Sequence, residues 1–320
     1  MQAYPLRFQP ILKQTIWGGR RLGTSLNKKI GSDHDYAESW EIVDHGANQS
    51  VVTNGILVGK TLKELIGTHK EFLFGSSANH DDFPLLLKYL DCNRVLSVQV
   101  HPNDRYGLRM TPPDLGKTEA WYIVESDPES LVYAGLKSGV TEQDLREAVR
   151  DGVAETTLHA FHPDAGDIIF IPAGTVHALG AGLLVAEIQQ SSNTTFRLHD
   201  WNRVDQNGQT RELHIEESLE VTDFTLGPIT PRKAKPNHSQ WQEVVRCDKF
   251  VMNLLNSGDV SIAGDHRFHL VTVPKGSATL QGPTGDYHLS TGESILLPAS
   301  MPSVNVCTSS NAVILEMHLP

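Results

Sequence analysis

The chain has 320 residues, and its 27 lysines and arginines against 38 aspartates and glutamates give a net charge of −11 at pH 7. An acidic chain without basic runs is a poor match to nucleic acid or to an anionic membrane, so we expect neither partner. Its three cysteines have no C-x-x-C spacing, which argues against a disulfide framework and a cysteine–zinc site. The first residues lack a signal-peptide pattern, and the longest uncharged apolar run, 178–186, is too short to cross a bilayer. We therefore expect a soluble, cytoplasmic protein.

Helical periodicity is convincing at three places along the chain. Capping boxes at Thr61 and Glu64 and at Thr141 and Asp144 begin the first two predicted helices, and the third covers residues 212–224. Most of the remaining chain predicts short strands between turn residues, for example 95–100, 119–124, 167–171, 183–189, 271–273 and 294–297. Many short strands with few helices are typical of sandwiches and jelly rolls.

The stretch 227–238, which contains three prolines, is the best candidate for a linker. It predicts two domains, 1–235 and 236–320, each within the usual size range.

A short internal sequence repeat links these two parts of the chain. Residues 166–174 read Gly-Asp-Ile-Ile-Phe-Ile-Pro-Ala-Gly, and residues 292–300 read Gly-Glu-Ser-Ile-Leu-Leu-Pro-Ala-Ser. One interpretation is a duplicated β-barrel whose second copy has lost a functional histidine, because the same offset places Ser303 at His177. The other is that Gly-acid-strand-Pro is a common way to end a hairpin. In the first case we expect the tail to be a β-sandwich without a metal.

Two polar strand faces carry candidate site residues. Alternate residues of a strand share a face, so Ser97, Gln99 and His101 point one way. Lys117 and Glu119 share a face where the next predicted strand begins. Taken singly, the first pattern is also typical of a solvent-facing strand, and the second is also typical of a charged strand end.

The segment from Gly166 to His177 fits the second cupin motif, Gly-x5-Pro-x-Gly-x2-His. Its proline and glycine turn the chain after a buried strand, and the next strand begins with a histidine that points into the barrel. Imidazole together with carboxylate suits a borderline divalent ion such as zinc. The usual first cupin motif begins His-x-His, whereas here Gln99 precedes His101, which counts against a metal-dependent oxygenase.

Together with other short motifs, these residues resemble type I phosphomannose isomerase in its shorter, bacterial form. The motifs stand in order: Trp17-Gly18-Gly19-Arg20, Glu38-Ser39-Trp40-Glu41, Phe83-Pro84-Leu85-Leu86-Leu87-Lys88, Gln99-Val100-His101-Pro102, Lys117-Thr118-Glu119 and Asn193-Thr194-Thr195-Phe196-Arg197-Leu198. The resemblance covers about residues 4–225. It implies a mostly β protein of two cupin-like jelly-roll β-barrel domains with a few added helices and a zinc site in the first.

The resemblance also assigns residues. One Zn²⁺ per chain is assigned to His101, Glu119 and His177, with Gln99 as a fourth ligand that water or a substrate oxygen can replace. The other assignments are Arg197 (catalytic and substrate-binding), Glu187 and Lys117 (catalytic), and Lys88 and Ser97 (substrate-binding).

The family interconverts mannose 6-phosphate and fructose 6-phosphate through an enediolate. This reaction needs a Lewis acid at the carbonyl, a fixed cation such as Arg197 beside the developing negative charge, and a base that shuttles the proton. Glu187, a histidine and metal-bound hydroxide are three alternatives for that base. We expect a sugar phosphate as the partner molecule and a monomer or weak homodimer.

Two rival functions stay open: a metal-dependent cupin oxygenase, and a non-catalytic sugar-phosphate sensor on the same scaffold. Arg197 and His199 alternate with Phe196 and Leu198, which is also the pattern of the wet side of an edge strand. Other histidines have no supporting constellation and are expected to be structural or superficial: His159, His162, His214, His266, His269 and His288.

Overall fold

The computed structural model describes residues 2–75, 79–204, 208–235 and 239–320, and within these ranges the protein is mostly β. The strands are β1 (Ile11–Lys13), β2 (Glu38–Ile42), β3 (Asp44–His45), β4 (Asn48–Gln49), β5 (Leu85–Cys92), β6 (Val98–Val100), β7 (Glu119–Ser126), β8 (Val132–Leu136), β9 (Leu158–Phe161), β10 (Asp167–Ile171), β11 (His177–Leu179), β12 (Leu183–Gln190), β13 (Phe196–His199), β14 (Arg232–Lys233), β15 (Gln242–Arg246), β16 (Val251–Asn256), β17 (Asp259–Ile262), β18 (His269–Lys275), β19 (Ser277–Gly282), β20 (Gly285–Ser290), β21 (Ser294–Leu297), β22 (Val304–Thr308) and β23 (Val313–His318). The α-helices are α1 (Arg21–Thr24), α2 (Leu62–Thr68), α3 (Lys70–Phe74), α4 (Asp104–Gly107), α5 (Glu142–Arg150) and α6 (Ile215–Val221).

The strands build two sandwiches. In the first, a seven-stranded sheet in the order β1-β2-β5-β12-β7-β10-β14 faces a five-stranded sheet in the order β13-β6-β11-β8-β9. In the second, a five-stranded sheet, β15-β16-β23-β18-β21, faces a four-stranded sheet, β17-β22-β19-β20. The predicted jelly-roll class is confirmed, although the described strands form sandwiches of two sheets rather than closed barrels.

The two larger sheets pack back to back, and this packing forms one continuous apolar core. Side chains on the outer face of the first sheet, such as Leu87 and Ala186, belong to the same cluster as Leu254 and Leu315 of the second. Alternation along each strand turns the neighbouring residues inward, so that Val185 lies in the interior of the first sandwich. The central strands β5, β12 and β23 are therefore buried on both faces, whereas the edge strands β1 and β14 are partly or fully exposed.

Helices cover the outer face of the five-stranded sheet of the first sandwich. Leu145 of α5 and Leu219 of α6 pack there with Val98 and Phe196. The two predicted capping boxes are present, with Thr61 and Thr141 as the N-cap residues of α2 and α5.

The third predicted helix is shorter than expected. It begins at Ile215 rather than at residue 212. The backbone of residues 212–214 forms hydrogen bonds with Arg197 of strand β13 rather than with the helix. The amide of His214 donates to the carbonyl of Arg197 at 2.8 Å, and the Arg197 guanidinium donates to the carbonyl of Glu212 at 2.8 Å.

The predicted linker is partly built into the first sandwich. Arg232 and Lys233 form the edge strand β14, which pairs with β10, and residues 236–238 lie outside the described ranges. At the other end of the chain, Leu6 pairs with Leu296 of the second sandwich. The division into domains 1–235 and 236–320 stays a proposal. The two sandwiches share one apolar core, so these two parts of the chain are extensively packed against each other.

Among the described residues, the helices are all too short or too polar to traverse a lipid bilayer.

Candidate active site and metal centre

A polar row crosses three neighbouring strands of the smaller sheet in the first sandwich. Gln99 of β6 lies opposite Arg197 of β13 on one side and opposite His177 of β11 on the other. Val98 and Val100, on either side of Gln99, point to the helices. The predicted alternation of this strand is therefore correct, and it aims the polar row into the sandwich.

The larger sheet supplies the facing residues. Glu187 of β12 lies opposite Lys88 of β5, and Glu119 begins β7 opposite Ile171. All three polar side chains are buried. Burial of ionised groups is costly unless they pair or hold a metal, so this arrangement indicates function.

His101, Glu119 and His177 form a cluster whose ligand atoms all lie within 4.8 Å of one another. His177 Nε2 is 3.2 Å from Glu119 Oε1, and His101 Nε2 is 3.7 Å from Glu119 Oε2. The Gln99 side-chain amide lies 3.3 Å from His177 Nε2. These are the four residues assigned to the metal from the sequence.

Backbone carbonyls fix the orientation of both imidazoles. His101 Nδ1 lies 2.9 Å from the carbonyl of Thr194, and His177 Nδ1 lies 2.9 Å from that of Thr175. A carbonyl only accepts, so Nδ1 carries the proton and Nε2 presents its lone pair to the cluster. This outer-shell arrangement is the usual one around metal-binding histidines.

The electrostatics keep both imidazoles neutral, as metal ligation requires. Burial, reinforced by the positive charge of Lys117, lowers the pKa of His177 to about 4. The same two causes hold the pKa of His101 well below its usual range. Two neutral imidazoles and a carboxylate form a donor set that fits a zinc-type divalent ion.

Lys117 already places a positive charge on this donor set. Its Nζ donates to His101 Nε2 at 2.8 Å and also to the carboxylate of Glu119. The same ammonium lies 3.6 Å from Glu187. The cluster is thus arranged around a cation, and a metal ion would compete with the Lys117 ammonium for two of its donors.

Lys88 and Glu187 form the second charged group of the cavity. Lys88 Nζ lies 3.3 Å from Glu187 and 3.3 Å from Glu38. Burial by itself would lower the pKa of Lys88, but the carboxylates of Glu187 and Glu38 outweigh it and the pKa is raised. Burial, with help from Glu119, raises the pKa of Glu187.

These residues line one cavity of about 350 Å³. Its walls include every sequence-predicted site residue except His101 and His177: Lys88, Ser97, Gln99, Lys117, Glu119, Glu187 and Arg197. A larger cavity of about 440 Å³ is lined by Arg7, Lys28, Glu41 and Glu293, among others. Two ion pairs lie in its walls, Lys28 with Glu41 at 2.6 Å and Arg7 with Glu293 at 3.3 Å, and no histidine among the described residues lines it.

Two partly exposed arginines also line the site cavity. Arg197 is half-buried, and its Nε has no hydrogen-bond partner. Arg211 is bound by the carboxylate of Asp200, with its Nε 2.8 Å from Oδ2. Burial and the neighbouring Arg211 lower the pKa of Arg197, which stays far above neutrality for a guanidinium.

Sequence reasoning missed two residues of this cavity. Glu38 belongs to a motif quoted above, but its contact with Lys88 depends on the pairing of β2 with β5. Arg211 follows a segment with no periodic pattern, so its position carried no signal.

Two histidines lie in surroundings that their sequence patterns did not show. His199 lies on an edge strand but is buried, with Nε2 3.8 Å from the carboxylate of Glu155. It therefore does not belong to a solvent-exposed strand face. His269, expected to be structural or superficial, belongs to a second buried cluster with Glu316 and His318.

Comparison with known proteins identifies the family. The model described as "Phosphomannose isomerase type I, catalytic domain" matches residues 6–117. The mannose-6-phosphate isomerase ManA of Bacillus subtilis is 36% identical over 304 residues, which is 93% of this chain and 94% of ManA. The chain belongs to the type I phosphomannose isomerase family.

Other relatives agree with this assignment. A mannose-6-phosphate isomerase of Streptococcus mutans is 36% identical over 94% of either chain. The crystal structure of the mannose 6-phosphate isomerase from Bacillus subtilis superposes with a TM-score of 0.87 at 30% identity, covering 99% of this chain and all of that one. The predicted resemblance is therefore confirmed, and the match extends beyond residue 225 into the second sandwich.

Proposed function

We propose that this protein interconverts mannose 6-phosphate and fructose 6-phosphate with the help of one zinc ion in the first sandwich. The observation that carries the proposal is the buried cluster of His101, Glu119 and His177. It lies beside the same cavity as Arg197 and Glu187, in a chain that belongs to the phosphomannose isomerase family.

The metal would be held by His101, Glu119 and His177, with the amide oxygen of Gln99 as a fourth donor. When bound, zinc supplies Lewis acidity that polarises the substrate carbonyl without moving an electron. The remaining chemistry belongs to side chains of the cavity.

Glu187 is the proposed base that moves the proton between C1 and C2 of the sugar. Its Oε1 is buried and accepts no hydrogen bond, although two ammonium groups lie within 3.6 Å. Its raised pKa moves it towards neutrality, where a general base is most effective. Lys88 and Lys117 hold the carboxylate in place from two sides.

The two arginines complement the charge of the substrate. Arg197 is proposed to stabilise the negative charge of the enediolate, because a guanidinium cannot lose its proton there. Arg211, fixed by Asp200, is proposed to bind the phosphate group. Lys88 and Ser97 line the inner wall as proposed sugar contacts.

The test combines metal analysis with an assay of the purified protein on mannose 6-phosphate. We expect turnover to fructose 6-phosphate, its loss after chelation and its return on addition of Zn²⁺. Iron content with oxygen uptake would favour an oxygenase instead. Binding of mannose 6-phosphate without turnover by the zinc-loaded protein would favour a sensor.

A further inference from the structure

The two sandwiches repeat one strand order. In the larger sheets, β5-β12-β7-β10 corresponds to β16-β23-β18-β21, and in the smaller sheets β6-β11-β8-β9 corresponds to β17-β22-β19-β20. The internal sequence repeat lies in β10 and β21, and it aligns Ile171 with Leu297. This correspondence supports duplication rather than coincidence of two hairpin ends.

The repeated order places two residues of the second cluster on positions of the first site. Glu119 pairs with Ile171, and His269 pairs with Leu297, so His269 occupies the position of Glu119. Ser303, expected at the position of His177, is exposed and takes no part.

The same comparison aligns two further residues. Glu187 pairs with Trp121, two residues after Glu119, and Glu316 pairs with Val271, two residues after His269. Glu316 therefore occupies the position of Glu187. Their partners on the other side, Lys88 and Asn253, then also correspond, so a neutral amide stands where the first site has a buried ammonium, and one charge that repels a cation is absent.

His269, Glu316 and His318 are buried and converge on one point. Nδ1 of His269 lies 2.6 Å from Glu316 Oε1, and Nδ1 of His318 lies 2.9 Å from the same oxygen. All three ligand atoms lie within 4.8 Å of one another, as in the first cluster.

The spacing and tilt of the two rings are also similar in the two clusters, although the second cluster presents Nδ1 to its carboxylate where the first presents Nε2. The centroids of His269 and His318 are 5.4 Å apart with an angle of 55° between the ring planes. Those of His101 and His177 are 4.9 Å apart with an angle of 50°. In both clusters two imidazoles flank a single carboxylate.

An outer shell orients the second cluster. Nε2 of His269 lies 3.0 Å from Asp265 Oδ1, on the side of the ring away from Glu316. The side-chain amide of Asn253 donates to Glu316 Oε2 at 2.6 Å. A carboxylate behind a histidine and a hydrogen bond to the ligating carboxylate are the partners that metal ligands usually have.

We propose that His269, Glu316 and His318 form a second binding site for a zinc-type divalent cation, in the C-terminal sandwich. The duplicated sandwich would then hold a metal, contrary to the expectation of a tail without one. Two imidazoles and a carboxylate are a zinc donor set, and they leave one position for water. The ion would join β18 to β23, the two neighbouring strands that carry its ligands. Its role is structural, because the cavity with Arg197 lies in the other sandwich.

The test is the number of zinc ions per chain after metal-free protein is equilibrated with Zn²⁺ and freed of excess, measured by mass spectrometry of the metal. We expect two in the wild type, one in His318→Gln, one in the double variant His101→Ala/His177→Ala, and none in the triple variant. His288→Gln is the matched control, since His288 is an exposed histidine of the same sandwich, and it should keep two.

Unchanged zinc content in His318→Gln, or no zinc in the folded double variant, would overturn the proposal and leave a hydrogen-bonded cluster only. The double variant leaves the second cluster intact, so the test does not depend on His318→Gln folding. If the wild type binds one zinc ion, and His318→Gln loses it while the double variant keeps it, the result would support this site and contradict zinc binding at the catalytic site. The two proposals therefore fail separately.

Discussion

Replacing Glu187 with glutamine removes the carboxylate that two buried lysines share, without changing the size of the side chain. Lys88 lies 3.3 Å and Lys117 3.6 Å from this carboxylate. If Glu187 is the base, Glu187→Gln abolishes proton transfer while the metal ligands stay in place. The expected result is a low kcat with normal zinc content at the catalytic site.

The expected magnitudes follow from these contacts. At an effective dielectric constant of about 20, a charge pair at 3.3 Å attracts by about 5 kcal/mol before desolvation is counted. Lys88 keeps Glu38, also at 3.3 Å, and Lys117 keeps Glu119, so neither ammonium is left unpaired. We therefore expect a loss of stability of about 1–2 kcal/mol, below the roughly 3–5 kcal/mol of an unpaired buried charge.

The effect on catalysis should be larger. Loss of a positioned general base lowers kcat by about 10²–10⁴, or about 2.7–5.4 kcal/mol in activation free energy. The assay measures kcat and KM for mannose 6-phosphate, together with zinc content and urea unfolding.

Glu38→Gln is the matched control for this experiment. Glu38 lies at the same distance from Lys88, and its replacement tests the loss of charge alone. We expect its kcat to fall less than tenfold. A Glu187→Gln kcat within threefold of wild type, or an equal loss in both variants, would refute the assignment of Glu187 as the base.

Three further predictions follow from the site and its surroundings. Arg197→Ala should lower kcat by about 10²–10³ with zinc content and melting temperature almost intact, and Arg197→Lys should restore part of the loss; lost zinc would instead show a structural role. His177→Ala should lower zinc affinity at the catalytic site at least tenfold and abolish turnover, measured by metal titration in a His318→Gln background; undiminished affinity would contradict its role as a ligand. The hydrogen bond to Asp114 raises the pKa of His45, so that this pair adds stability below about pH 6.5 and loses it as the pH rises through the raised value. His45→Gln should therefore lower the melting temperature by about 1–2 °C at pH 5.5 and leave it unchanged at pH 9, and an equal effect at both values would contradict the ion pair.

Features that depend only on neighbouring residues could be predicted from the sequence. Alternation along a strand put Ser97, Gln99 and His101 on one face, and the capping boxes at Thr61 and Thr141 marked the starts of two helices. Both rules act over a few residues, so they can be read without knowledge of the fold. The ordered motifs indicated the family, and the resemblance to that family assigned the metal ligands.

The tertiary structure decided which distant residues meet. Nothing near Lys88 in the chain shows that Glu187 and Glu38 will hold it, since that contact depends on the order and register of β2, β5 and β12. His269 looked solitary for the same reason, because its partners Glu316 and His318 lie one strand away in space but far along the chain. Strand register is fixed by burial of the whole sheet rather than by local preference, and only the folded chain displays it.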